Sequence, residues 1–513
     1  MTALAVLTGS LPKLGVVVIA LLAAAAMLAP DRRLQAGAVL GALALAPVLL
    51  LAEIGRSPQL STVHRQPLPA AAAAAVSVAV LLALAVLLVR RPALIGPLAV
   101  LALPFRIPVQ AGGVTSNLLV PLYVVVAAGS LALVWGARSS TGAAAERLPP
   151  SESRSCAGGV PWIERALGAY VVLYALQSLY SPGFETALRQ LVFFYVPFAL
   201  LFCLLRRLPW TPLLVRRCLQ LVIALAVVFA GLGFVEYATK TLILNPRLIA
   251  ANDVHAYFTV NSVFFDPDVF GRFLALVMIP LAALLLYGEH RREQLGACAI
   301  IAVLWGGLVL TLSRSSLGAL LVGLGTLAAL RWRTWRALLA AALVLAAGAA
   351  AVAVSPKTFG LNQGANGASS GRASLVSGGI GLFADRPALG YGSGSFVDEY
   401  RAHHPGSSQT LSASHTIPIT IAAEQGVIGE LAYLALVLVA AVVLIRDAGA
   451  DPARATIAAI FLALVFHTLL YADFLEDPVT WTLLGVGGAL TAGGRRAPRP
   501  EVVMAGEAAV VPA

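Results

Sequence analysis

Apolar runs recur along nearly the whole chain, and no other feature limits the fold so strongly. They fall near 14–29, 34–52, 69–89, 93–105, 117–135, 166–180, 190–205, 218–236, 269–287, 295–312, 315–330, 337–354, 427–445, 455–472 and 479–493. A helix needs about 20 apolar residues to cross a hydrocarbon core. Inside that core every backbone polar group must find its partner within the segment. The pattern therefore predicts an all-α polytopic membrane protein. The fourth, sixth and last runs are short, so the expected count is 12 to 15 transmembrane helices. Composition agrees, with 59% hydrophobic and 12% charged residues and a mean hydropathy of +0.88. A soluble domain carries about a quarter charged residues.

The net charge of +11 does not point to nucleic acid, because the arginines punctuate apolar runs as pairs. Arg32-Arg33, Arg90-Arg91, Arg206-Arg207, Arg216-Arg217, Arg291-Arg292 and Arg495-Arg496 fall on alternate connections. Positive residues are retained on the cytoplasmic side, so these connections are expected inside and the long segment 355–426 outside. The amino terminus is then expected outside and the carboxyl terminus inside. The resulting division is N-terminal spans over 1–135, a flexible cytoplasmic linker over 136–164, and central spans over 165–354 with an outer loop at 237–268. A large extracytoplasmic loop follows over 355–426, then C-terminal spans over 427–493 and a tail over 494–513. Cys156, Cys203, Cys218 and Cys298 show no paired spacing, so neither a disulfide nor a zinc site is expected. The first run lacks a cleavage site, which argues against a cleaved signal. No cofactor is expected.

Charged groups within or beside spans are costly and become functional candidates by default. Arg272 stands one turn into the span opened by Asp266-Pro-Asp268, and Arg314 lies in the polar pinch Thr311-Leu-Ser-Arg-Ser-Ser316. The plainer readings are a structural partner of Asp266 or Asp268 for Arg272, and interfacial snorkelling for Arg314. Asp266 and Asp268 could pair on a metal or simply cap the following helix. His403-His404 has no third ligand at convincing spacing. Within Ala413–Gly429, His415 opens a short helical pattern in which Pro418 suits the first turn and Gly426 a stop. Two guanidinium groups and a histidine on one face suit an anionic leaving group and a hydroxyl that must lose a proton. A loop histidine facing water is the alternative.

Three stretches carry a family resemblance. They are Thr311-Leu-Ser-Arg314-Ser-Ser-Leu-Gly, Arg386-Pro-Ala-Leu-Gly-Tyr-Gly-Ser-Gly-Ser-Phe396, and Ser414-His415-Thr416 with Glu424-x-Gly-x-x-Gly429. Together they resemble the O-antigen ligase and polymerase family of bacterial membrane glycosyltransferases, over roughly 185–475. Thr416 departs from the Asn, Ser or Gln that usually follows the histidine.

The resemblance implies a metal-independent, inverting GT-C-type transferase at the outer face of the bacterial plasma membrane. Its donor would be a polyprenyl-diphosphate-linked glycan, and its acceptor a hydroxyl of a glycan or glycolipid. Arg272 and Arg314, joined by Arg372, would hold the diphosphate, and His415 would activate the acceptor. Arg189 is a further contact on the same grounds. Glu424, ~13 Å from His415 along a continuous helix, reads better as an anchor between loop and span than as a catalytic partner. The competing class is a multi-span transporter of an anionic lipid-linked or small solute, which intramembrane His467 and the outer-side arginines would also suit. Such carriers usually show internal repeats, and none is visible.

Overall fold

The computed structural model describes residues 10–54, 67–111, 114–139, 162–242, 258–332, 372–405, 414, 416–471 and 473–494. The run at 337–354, most of the linker at 136–164, nearly all of the tail at 494–513 and His415 lie outside these residues. Every other apolar run becomes helical. In order these are α1 (Ser10–Leu28), α2 (Arg32–Ile54), α3 (Pro67–Arg90), α4 (Ile95–Ala102), α5 (Val120–Ser139) and α6 (Trp162–Ser178). Next come α7 (Phe184–Arg207), α8 (Pro212–Thr239), α9 (Pro267–Tyr287), α10 (Arg291–Thr311) and α11 (Arg314–Arg331). Two short helices, α12 (Arg372–Asp385) and α13 (Phe396–His403), precede α14 (Ile417–Ile445), α15 (Pro452–Thr468) and α16 (Pro478–Gly494).

Among the described residues eight helices are long and apolar enough to cross a membrane alone. Ala74–Arg90 of α3 passes the same test together with Pro92–Ala102, the two being bent by 116° at the break between them, and the remaining helices are shorter or more polar. One departure from the all-helical expectation appears between α4 and α5. Residues Ile107–Ala111 (β1) and Val114–Leu118 (β2) pair as an antiparallel hairpin, with Ile107 opposite Leu118. The start of the run placed at 117–135 belongs to this hairpin, and the helix begins at Val120. Two five-residue strands, the second reading Val-Thr-Ser-Asn-Leu with no period-2 alternation, give no strand signal beside a long apolar run.

Small residues allow the helices to approach closely. A Cβ on Gly323 of α11 would lie 2.3 Å from Ile279 of α9 and 3.3 Å from Ala463 of α15, so these three backbones are drawn together. The interior, from Ile19 and Tyr170 through Phe198 and Phe270 to Trp481, is one continuous apolar cluster.

The bundle has two unlike ends. At one, Arg206 pairs with Glu164 at 2.8 Å, Arg331 Nε donates to the Leu286 carbonyl, and Tyr287 donates to the Gly449 carbonyl. This end carries Arg32-Arg33, Arg90-Arg91, Arg206-Arg207, Arg216-Arg217 and Arg291-Arg292. The other, the loop end, gathers 258–268, 312–316, 372–405, 469–471 and 473–477. Lys13 donates to the Leu179 carbonyl there, and Arg372 to that of Leu470.

Candidate functional site

Two tight caps build the floor of the loop end. Asp266 is the N-cap of α9, its carboxylate accepting from the Asp268 N–H at 2.7 Å, and Pro267 fills the first helical position. Leu312, in the left-handed region, ends α10, and Ser313 at once caps α11 by accepting from the Ser316 N–H. The polar pinch read from the sequence is thus a turn without a loop. Its hydroxyls meet the start of α9, where Gly271 leaves room: a Cβ there would lie 2.8 Å from Thr311 Oγ1 and 2.9 Å from Ser316 Oγ.

Asp268 is the hub. Its Oδ1 accepts from Ser313 Oγ at 2.5 Å and lies 3.4 Å from Ser315 Oγ, and its Oδ2 pairs with Arg372 at 3.2 Å. Arg372 starts α12 and also donates to the Leu470 carbonyl at 3.0 Å. Asp266 accepts from the Tyr471 hydroxyl at 2.9 Å. Burial and the neighbouring Asp268 push the Asp266 carboxyl above the usual range, and the Asp268 N–H and Tyr471 hydroxyl partly oppose this.

Arg272 is placed differently from Arg314 and Arg372. Its side chain is only 4% exposed and pairs with Asp477 at 2.9 Å, beneath the Tyr471 ring. Its partner is therefore neither of the two aspartates weighed for it. Arg314, at the first position of α11, is exposed. Arg189 pairs with Glu185 one turn back on α7 at 3.6 Å, with both side chains substantially exposed. Its neighbour Gln190 is the residue that reaches inward, donating to Glu476 and accepting from Tyr174. Glu476, on the turn before α16, is pushed well above the usual carboxyl range by burial first and then by Asp473 and Glu424. Asp473, Glu476 and Asp477 had passed unremarked in the sequence. Their signal was there, as three carboxylates within five residues between two apolar runs.

The Gly-rich run and Glu424 form a second assembly at this end. Glu424 is buried, and its two oxygens accept from the Gly394 N–H at 2.8 Å and the Phe396 N–H at 3.0 Å. Tyr391 and Gly392 donate to the carbonyls of Ala423 and Glu424, and Val427 to that of Pro387. Gly426, at φ 64° and ψ −164°, breaks α14 where the stop was expected, and the helix then resumes into the span. Gly390 packs against the backbone of Glu424 and Gly426 against that of Ala388, each with positive φ, and a Cβ on either would lie 2.4 Å from that backbone. Ser393 donates to the Tyr174 carbonyl and Gln177 to that of Gln425, which ties the block to α6. Glu424 is an anchor between loop and span. On either side of His415, Ser414 Oγ lies 2.7 Å from Thr420 Oγ1 and accepts from the Thr416 N–H.

Fold and site together define a helical polytopic membrane protein in which Arg272, Arg314 and Arg372 stand with hydroxyls and carboxylates at one end. Residues 297–434 match the family model for O-antigen ligase, which bears out the resemblance carried by the motifs over that segment. The matched segment contains Arg314, Arg372, the Gly-rich run, His415 and Glu424, whereas Arg272 and Asp477 lie outside it. It is narrower than the 185–475 over which the resemblance was read. No curated protein matches the chain.

Proposed function

We propose that the protein is a glycosyltransferase that moves a glycan from a polyprenyl-diphosphate carrier to an acceptor hydroxyl at the outer face of the plasma membrane. The observation that carries this reading is the meeting of Arg372 and Asp268, 104 residues apart, beside the turn that presents Arg314. Such convergence brings two guanidinium groups to one end of the bundle, one of them held by an aspartate partner that an anion can displace. A guanidinium keeps its charge and offers a planar fork to phosphate oxygens, so it neutralises a leaving diphosphate without a metal. In this proposal Arg314 and Arg372 meet the diphosphate. Arg272, paired with Asp477, reaches the anion only by exchanging that partner and otherwise supports the site from behind.

His415 takes the proton from the acceptor hydroxyl as that oxygen attacks the anomeric carbon. The bond to the diphosphate breaks on the opposite face, and the configuration inverts. Glu424 holds the Gly-rich block that abuts the histidine's helix and takes no part in the chemistry. Arg189 serves as a peripheral contact for the glycan.

The test is transfer by the purified protein in lipid, with a lipid-linked glycan and candidate acceptors. General-base assistance is worth roughly 10²–10⁴-fold. His415→Ala is expected to lose transfer by about that factor while staying folded and still binding the donor. Unchanged transfer in His415→Ala would remove the histidine from the mechanism. Solute movement with no transfer in any variant would favour a transporter.

A further inference from the structure

His467 is the buried titratable group to which the proposed reaction gives no task. It lies in the last turn of α15, fully enclosed, and its Nδ1 has no hydrogen-bond partner. A leucine would fill this space without leaving a buried polar atom unpaired, so packing alone is a poor reason for a histidine here. What the histidine does contribute is Nε2, which lies 3.2 Å from Ser315 Oγ and 3.4 Å from Ser316 Oγ.

Counting protons orients these contacts. Ser316 gives its one hydroxyl proton to the Asp268 carbonyl at 3.1 Å, and Ser313 gives its own to Asp268 Oδ1. A carboxylate only accepts. The arrangement that carries a proton onto Asp268 Oδ1 from both serines has His467 Nε2–H donating to Ser315 and Ser315 donating to Asp268, with only His467 Nδ1 left without a partner. The other oxygen of Asp268 receives Arg372. The second hold on Arg372 leads to the same place, because the Leu470 carbonyl accepts from its Nη1 while the Leu470 N–H donates to the His467 carbonyl at 3.0 Å.

We propose that His467 is a positioning residue that sets the Arg372 guanidinium for the donor's diphosphate, acting through Ser315 and Asp268. The inference rests on the reading that Arg372 grips a diphosphate. His467 itself touches no substrate. Its effect belongs to donor binding rather than to proton transfer.

The experiment measures binding of a sugar-free polyprenyl diphosphate to the full-length protein in nanodiscs, with donor KM and kcat for transfer beside it. Removing one link of a hydrogen-bonded line is worth roughly threefold to tenfold. His467→Ala is expected to weaken binding by that factor and raise donor KM to match, with kcat within about twofold. His467→Gln, whose amide reaches the position of Nε2, is expected to restore most of the loss. In an Arg372→Ala background His467→Ala should add nothing, because contacts acting in one line are not additive. Ser315→Ala serves the same cycle if His467→Ala does not fold. Wild-type affinity in His467→Ala, or an undiminished further loss in the Arg372→Ala background, would overturn the inference while leaving the donor reading intact. A wild-type protein that binds no diphosphate would instead remove the donor reading, and the inference with it.

Discussion

Glu424 and Asp268 are both carboxylates at the loop end, yet they are held in opposite ways. Glu424 is buried and receives two backbone N–H groups. Asp268 is partly exposed and receives side chains, two serine hydroxyls and an arginine. Backbone donors cannot rotate away, so Glu424 turns a Gly-rich loop into a rigid block. Side-chain donors can exchange partners, so the Asp268 cluster can rearrange when an anion arrives. Glu236 follows the first pattern, accepting from the Asn261 and Ser262 N–H groups at 3.1 and 2.8 Å. The same residue chemistry thus yields scaffold in one place and an adjustable site in another.

The block should be the easier of the two to break. Gly426→Ala and Gly390→Ala each place a Cβ 2.4 Å from facing backbone at a positive φ. Such backbone conflict, with no flexible side chain to yield, is expected to cost at least about 3 kcal/mol and to leave little folded protein. Gly381→Ala on α12 is the control, since a Cβ there meets nothing within 4 Å. Folded yield by size exclusion separates the three. Equal yields would mean that the block is not rigid.

Exchanging each carboxylate for its amide tests the contrast directly. Glu424→Gln turns one acceptor into a donor facing a backbone N–H, at a cost of about 1–3 kcal/mol. Asp268→Asn weakens a partly exposed pair and should cost at most about 1 kcal/mol. Thermal unfolding in detergent reads both, and an equal loss of melting temperature in the two variants would dissolve the distinction.

Glu476 extends the comparison to a carboxyl whose neighbours are other carboxylates. Its folded-state value lies well above the ordinary one, so its neutral form is favoured by the fold. Its stabilising contribution is therefore complete below about pH 4, the ordinary carboxyl range. It is lost progressively as pH rises from there toward the folded-state value. Glu476→Gln keeps an oxygen for Gln190 and is expected to melt increasingly above wild type as pH rises from about 4 to 8. A difference that shrinks with rising pH would contradict the shift.

The gentlest change asks which side each end faces. Ser377→Cys on α12 and Glu289→Cys beside α10 are both exposed positions at opposite ends of the bundle. In a protein otherwise free of cysteine, an impermeant maleimide should label the first but not the second in intact cells, with transfer unaffected. Labelling of the second alone would invert the topology and sink the proposed outer-face reaction.

Much of this arrangement was legible in advance, for identifiable reasons. Apolar runs predict spans because a bilayer leaves the backbone no other choice, and the pinch at Arg314 was visible as hydroxyls between two runs. Gly426 was readable as a break because its neighbours on both sides form helix well. The hairpin at 107–118 carries no strand signal because its segments are five residues long and Val114–Leu118 does not alternate. The partner of Arg272 was misjudged because sequence proximity favoured Asp266 and Asp268 over Asp477.

What the sequence determined by itself is therefore local and one-dimensional: which segments are apolar enough to be helices, where they stop, and which chemical groups stand at their ends. The tertiary structure decided which of those groups meet. Arg272 is sealed against Asp477 while Arg372, a hundred residues later, reaches back to Asp268. The helix that carries both Asp268 and Arg272, α9, packs against α11 and α15, where Gly323 lets the backbones close together. An ion pair forms between the charges that packing brings within about 4 Å, and the spacing of residues along a chain does not contain that distance.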